Sequence, residues 1–219
     1  MATRQVLAAL ARAWTERSGV PVEIESVGGV DAARRVAAGE PFDGVFLAAD
    51  AIDKLIAGGH AVAGSRVDLV RSGVAVAVKR GTPKPDLGSE DAVRQAVLAA
   101  PTIGYSTGPS GTALLKLFER WGIAGQVRPR TVQAPAGVPV GSLVAKGEVA
   151  LGFQQLSELM HLDGVDVVGP LPGPIHIETV FSGAVCAASS RPGAVRELLA
   201  FMVSPETAAI KSACGMDAA

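Results

Sequence analysis

Apolar and polar positions along this chain switch repeatedly between a period near 3.6 and a period of two, so helices and strands are expected to alternate. The first 19 residues read as a helix. Val6, Leu7, Leu10, Ala11 and Trp14 share one face, while Arg4, Arg12, Glu16 and Arg17 lie elsewhere. Residues 21–26 then alternate Val22 and Ile24 against Glu23 and Glu25, as a half-buried strand would. A short helix follows over 30–38, a buried strand over 43–48, and a helix that Asp50 can cap and Gly58-Gly59 stops. Residues 67–79 form one β-prone run longer than a mean strand, with a break near Ser72-Gly73. Ser89 is placed to cap a helix over 90–99 whose first turn carries Glu90 and Asp91.

The second half repeats the alternation. A short apolar run (Ile103, Tyr105) leads through a loop of small residues into a helix with Leu114, Leu117, Phe118 and Trp121 inward. Residues 126–133 suggest an edge strand, since Pro129 cannot donate a ladder bond. A helix over 138–146, a strand over 149–154, a short helix over 157–160 and a strand over 165–168 follow. A second overlong run, 175–188, is interrupted at Ser182-Gly183, and Pro192 and Pro205 open the last helices. Strands alternating with helices imply an α/β protein with parallel sheets. The two overlong runs suggest crossings between two lobes, one made of residues 1–73 and 183–219 and the other of 74–182.

Composition narrows the chemistry. A formal net charge of -1 and an aromatic share of 4% disfavour a nucleic-acid surface, which needs clustered cations and stacking platforms. The apolar runs fall short of the roughly 20 residues a membrane helix needs, so no direct membrane insertion is expected. Cys186 and Cys214 lack framework spacing and read as free thiols. The three histidines lack ligand spacing, so neither a metal nor another cofactor is implied. Charge interrupts the apolar stretch of the first helix, which is therefore no signal peptide.

Two corners stand out as anion sites. Small side chains expose backbone N–H groups, and a helix's first turn leaves its N–H groups without intrahelical partners. One corner is Ser106 to Thr112, including Ser110 and Gly111; the other is Gly28-Gly29-Val30. Ser106, Ser110 and Thr112 are equally ordinary as turn and cap residues, and the glycines as a tight turn. Arg71, beside the break in the first crossing, has the planar fork that grips a carboxylate, or is a solvated strand-end arginine. Gln154 and Gln155 point to opposite faces if both lie in the strand. His176 and Glu178 alternate on one side of the return crossing, either for acid–base work or simply exposed. No Gly-x-Ser-x-Gly elbow and no P-loop occur.

Several segments together give the chain a family resemblance: AAGEPFDGVFLAADAIDKLIAGGHAVAGSRVDLVRSGVAVAVKRG, IGYSTGPSGTALLKLFERWGI, LVAKGEVALGFQQLSEL and SPETAAIKSACGM. It resembles the molybdate-binding-protein-like family of ABC-importer substrate-binding proteins. That resemblance implies a two-lobed type II periplasmic binding fold, with a ligand cleft between the lobes and the two crossing strands as hinge. It also implies four ligand loops, at Met1-Ala2-Thr3, Gly28-Gly29-Val30, Ser110-Gly111-Thr112 and Gly137-Val138. Gln155 stands where the molybdate proteins carry a tyrosine, and Gly28-Gly29 where they carry hydroxyls, so a di- or tricarboxylate fits better than molybdate. The implied partners are this small anion and, if the protein is exported, the membrane subunits of an importer; a monomer is expected. Members begin with a strand before the first loop, so residues upstream of Met1 are expected. The implied compartment is periplasmic, with a cytoplasmic one as the alternative given the missing signal. The family extends to aconitate isomerase, so an isomerase of a small unsaturated tricarboxylate is the alternative function. A regulator's sensing domain fits less well, because no DNA-binding helices accompany it.

Overall fold

The computed structural model describes residues 2–219; Met1, part of the first expected ligand loop, lies outside the described residues. In chain order the elements are α1 (Arg4–Ser18), α2 (Gly29–Ala37), β1 (Gly44–Ala48), α3 (Ala49–Ala57), β2 (Val67–Lys79), α4 (Glu90–Ala99), β3 (Ile103–Tyr105) and α5 (Pro109–Arg120). Then come α6 (Ala124–Val127), β4 (Thr131–Gln133), α7 (Val140–Lys146), β5 (Leu151–Gln155), α8 (Leu156–Leu159), β6 (Val165–Pro170), β7 (Glu178–Val185), α9 (Pro192–Met202), α10 (Ala208–Ala213) and β8 (Asp217–Ala218). The chain divides into two compact units, Met1–Ser72 with Thr179–Ala219, and Gly73–Glu178.

In the first unit, β7 lies between β1 and β2, and β8 pairs antiparallel with β2 through Val70↔Ala218 and Arg71↔Asp217. α1 buries Val6, Leu7, Leu10 and Ala11 as its stripe requires, and Trp14 meets the Phe201 ring of α9 at 5.5 Å. Gly19 closes α1 in the left-handed region (φ 71), where a side chain would be strained. Residues 21–26 keep the expected alternation, with Val22 and Ile24 packing on the core, but form no strand. No ladder among the described strands includes residues 21–26, and β1 pairs with β7 alone. Asp50 is not a cap either. α3 begins one residue earlier, at Ala49, and Asp50 sits in its first turn, 3.7 Å from Lys54.

Asp68 ties β2 to β7 by accepting from the Ser182 hydroxyl (2.6 Å) and pairing with Arg66 (2.8 Å). The Ser182 bond first, and Arg66 second, hold its carboxyl below the usual range. A lowered folded-state value stabilises the protein above the unfolded value and ceases to do so as pH falls through the folded one. Acid unfolding should therefore steepen below about pH 4. Asp68→Asn should flatten that limb of a stability-versus-pH curve, and an unaltered slope would remove Asp68 from the account.

In the second unit, β3 pairs parallel with β5 (Ile103↔Leu151, Tyr105↔Phe153) and with β4 (Ile103↔Thr131, Tyr105↔Gln133). The Gly73–Lys79 part of β2 runs antiparallel to β5 on one side and β6 on the other. α7 approaches this sheet closely because the strands supply glycine beneath it. A Cβ on Gly104 would stand 2.8 Å from Val140, and one on Gly152 would stand 2.5 Å from Val144. Ser89 caps α4 as expected, accepting from the Ala92 N–H. The expected strand over 126–133 shrinks to three residues, since Pro129 lies in a 3-10 turn that leaves only Thr131–Gln133 to pair. β2 runs through Ser72-Gly73 without a break, and β7 through Ser182-Gly183. The return run starts at Glu178 rather than 175, because Gly173–Ile175 form a 3-10 turn opened by prolines.

Candidate functional site

Because β3, β4 and β5 are parallel, their carboxyl ends share one edge, and the loops leaving that edge carry most of the residues singled out in this unit. β3 ends at Tyr105 and turns through Ser106 into α5, whose N-cap is Gly108, with Pro109 at the first helical position. The cap residue has no side chain to offer, so none closes this terminus. The Ser106 and Ser110 hydroxyls lie 3.1 Å apart, and Ser110 is buried. Gly111 is compulsory here: a Cβ on it would stand 1.9 Å from the Ser106 carbonyl oxygen. Thr112 is on the same turn and exposed.

β4 leads into the loop holding Gly137 and Val138. Both are exposed and precede α7, which starts at Val140 rather than 138 because Pro139 disfavours helical backbone at the residue before it. β5 ends at Gln155, the N-cap of α8. Gln154 and Gln155 are both buried, since the strand is covered on both faces. Gln154 Oε1 accepts the Gly141 N–H of α7 (3.1 Å), and the Gln154 side chain also hydrogen-bonds Glu158 in α8. Burial pushes the Glu158 carboxyl above its usual range, against the smaller, opposite effect of that bond. Beside it, the buried Ser157 hydroxyl has no hydrogen-bond partner, as is also true of the buried Ser72 and Ser204 hydroxyls. Sequence reading passed over both Ser157 and Glu158.

His176 and Glu178 approach to 3.7 Å, and the imidazole packs over Gly73, where a Cβ would stand 2.8 Å from it. That imidazole shares a groove with Lys116 and Arg120 of α5. Those residues lie six and ten positions beyond Ser110, roughly 9 and 15 Å along the helix. The pair is therefore gathered with the far half of α5 rather than with its first turn.

In the first unit, Gly28 is the N-cap of α2 with extended backbone and no side-chain cap bond, and Gly29 and Val30 form the exposed first turn. Arg34 faces Asp31 (3.4 Å), and Arg35 is held by Glu25 and Glu40 over the Phe42 ring, so both read as structural. Ala2 is buried, and Thr3 is the N-cap of α1, its carbonyl accepting the Leu7 N–H. Arg71 donates from Nε to the Ala218 carbonyl (3.1 Å). Among the described residues no group of three or more His, Cys, Asp or Glu side chains could hold a metal ion.

Residues 1–217 match the family model described as bacterial extracellular solute-binding protein. An aconitate isomerase from a Pseudomonas species is 40% identical over 205 residues, 91% of this chain and 78% of that protein. The periplasmic molybdate-binding protein of Azotobacter vinelandii superposes with a TM-score of 0.80 at 22% identity, covering 98% of this chain and 94% of that one. The sulfate-binding protein SubI of Mycobacterium tuberculosis gives 0.78 at 17% identity, covering 97% and 82%. At these identities the two solved structures establish the fold.

Proposed function

This chain belongs to the bacterial extracellular solute-binding protein family, with the type II periplasmic binding fold, and from that premise we propose that it binds a small polycarboxylate anion. The Ser106–Gly111 corner carries the reading. Its helix opens without a side-chain cap, two serine hydroxyls meet beside it, and Gly111 keeps the backbone too close for any other residue. The uncapped Gly28-Gly29 start of α2 offers backbone donors of the same kind, without the hydroxyls that suit a compact tetrahedral oxyanion. A tricarboxylate is favoured within the class because a 40% identical relative is named for acting on aconitate. Arg71 stays at the margin of the proposal, since its Nε already serves Ala218. In this reading the protein works outside the cytoplasm and hands its ligand to the membrane subunits of an importer. No helix among the described residues is long and apolar enough to cross a membrane.

Calorimetry with cis-aconitate, trans-aconitate, citrate, molybdate and glucose tests the proposal. A tricarboxylate should bind with a dissociation constant near or below about 1 μM, or roughly 8 kcal/mol, and glucose should not bind. Tighter binding of molybdate than of any carboxylate would overturn the ligand class. The absence of anion binding altogether would overturn the function.

A second reading has one specific observation in its favour, the identity with aconitate isomerase across most of both chains. In it the bound tricarboxylate is not handed on but has its double bond moved. Proton NMR of cis-aconitate incubated with the protein separates the two, since a pure receptor leaves the spectrum unchanged.

A further inference from the structure

We propose that Glu158 carries the proton in an allylic shift on an unsaturated tricarboxylate held at the carboxyl edge of β3, β4 and β5; this rests on the isomerase reading. Three observations converge on it. First, α8 leaves β5 directly, so Glu158 sits three residues beyond Gln155, at the edge from which the Ser106–Gly111 corner also departs. It is partly buried, set back from water yet reachable.

Second, its partner is oriented. The Gln154 oxygen is taken by the Gly141 N–H, which leaves the amide NH2 to face the Glu158 carboxyl. Such an amide holds a carboxylate in place without neutralising it, and Gln154 thereby acts as a positioning residue. Third, the neighbouring Ser157 hydroxyl is buried with no partner, so the same short helix carries a second polar group not satisfied by the protein. The upward push that burial gives the carboxyl suits a group that must both take and return a proton.

The chemistry closes without a co-reactant. The Glu158 carboxylate takes a proton from the substrate's methylene carbon, and the C–H electron pair becomes the new carbon–carbon double bond. The electrons of the old double bond take a proton back from the carboxylic acid at the far carbon. The carboxylate is regenerated, and neither oxidation nor reduction occurs.

The test uses the full chain, with cis-aconitate and trans-aconitate as substrates followed by NMR, calorimetric binding, and thermal melting to confirm folding. Wild type should interconvert the isomers. Glu158→Gln should lower kcat by roughly a hundredfold or more, because a positioned acid–base group contributes at least that much. KM and calorimetric affinity should hardly move, a split that a merely structural role would not produce. Glu158→Asp should recover part of the rate, and it decides the matter if the glutamine variant melts early. A folded Glu158→Gln that keeps wild-type kcat, or an aspartate variant no better than it, overturns the assignment and leaves the isomerase reading standing. Wild type that binds aconitate without interconverting it overturns that reading and this assignment together.

Discussion

Gly111→Ala should weaken both the fold and tricarboxylate binding, more than any other change confined to the Ser106–Gly111 corner. Inside a helix the exchange of glycine for alanine ordinarily gains about 1 kcal/mol. Here the added methyl would stand 1.9 Å from the Ser106 carbonyl oxygen and 2.9 Å from its carbon. Both are backbone atoms, so no rotamer change relieves the clash; either Ser106 or the first turn of α5 must move by roughly 1 Å. Overpacking of this kind costs about 1 to 3 kcal/mol, which outweighs the propensity gain. A displacement of about 1 Å in positioned groups is also enough to cost up to two orders of magnitude in function. The expected outcome is a clear drop in melting temperature and a more than tenfold weaker calorimetric affinity for aconitate. Gly125→Ala on α6 is the matched control, since its Cβ would meet nothing within 4 Å. Equal behaviour of the two variants would show that the corner is neither tight nor part of the binding surface.

What could be read from residues alone follows from what each signal depends on. The α1 stripe is a local fact of periodicity, and the structure buries Val6, Leu7, Leu10 and Ala11 as expected. The length of β2 was legible because Val67 to Lys79 is β-prone throughout, whereas the supposed break at Ser72-Gly73 was a rule about glycine. That glycine is instead the seat of the His176 ring. Residues 21–26 show the limit of alternation as a signal. It reports which side chains turn inward, and Val22 and Ile24 do, but a strand also needs a neighbour to pair with.

The candidate site divides along the same line. The Ser106–Gly111 corner could be found because its residues are small and precede a helix pattern. Glu158 could not, since a glutamate in LSEL looks like any helix-surface charge. What distinguishes it is burial by the packing around α8, joined by two local features that its residue type does not reveal, the Gln154 amide four residues earlier and the orphan Ser157 hydroxyl beside it. The usable signal was the adjacency of Gln154, Gln155 and an acid at the end of a fully buried strand.

Phe118→Ala should be among the most damaging single truncations in the second unit, because Phe118 packs between the two elements that carry the candidate site. It projects from α5, whose first turn is the Ser106–Gly111 corner, and is 1% exposed. Its ring meets Phe153 of β5 edge-on at 6.4 Å, one residue before Gln154, and stacks on Trp121 at 6.0 Å. Removing a buried phenylalanine costs about 3 to 5 kcal/mol, since the lost transfer energy is joined by that of an unfilled cavity. Against a typical domain stability of about 5 to 15 kcal/mol, that is a large fraction of the total. Phe118→Leu, which keeps most of the volume, should cost far less. Loosening the packing between α5 and β5 should also blur the register between the corner and Gln154, so the alanine variant should bind aconitate more weakly even well below its melting temperature. Calorimetry at 10 °C alongside denaturant melts would check both effects. An alanine variant that melts early yet binds aconitate as tightly as wild type would mean that the core beneath α5 and β5 supports the fold without setting the geometry of the site.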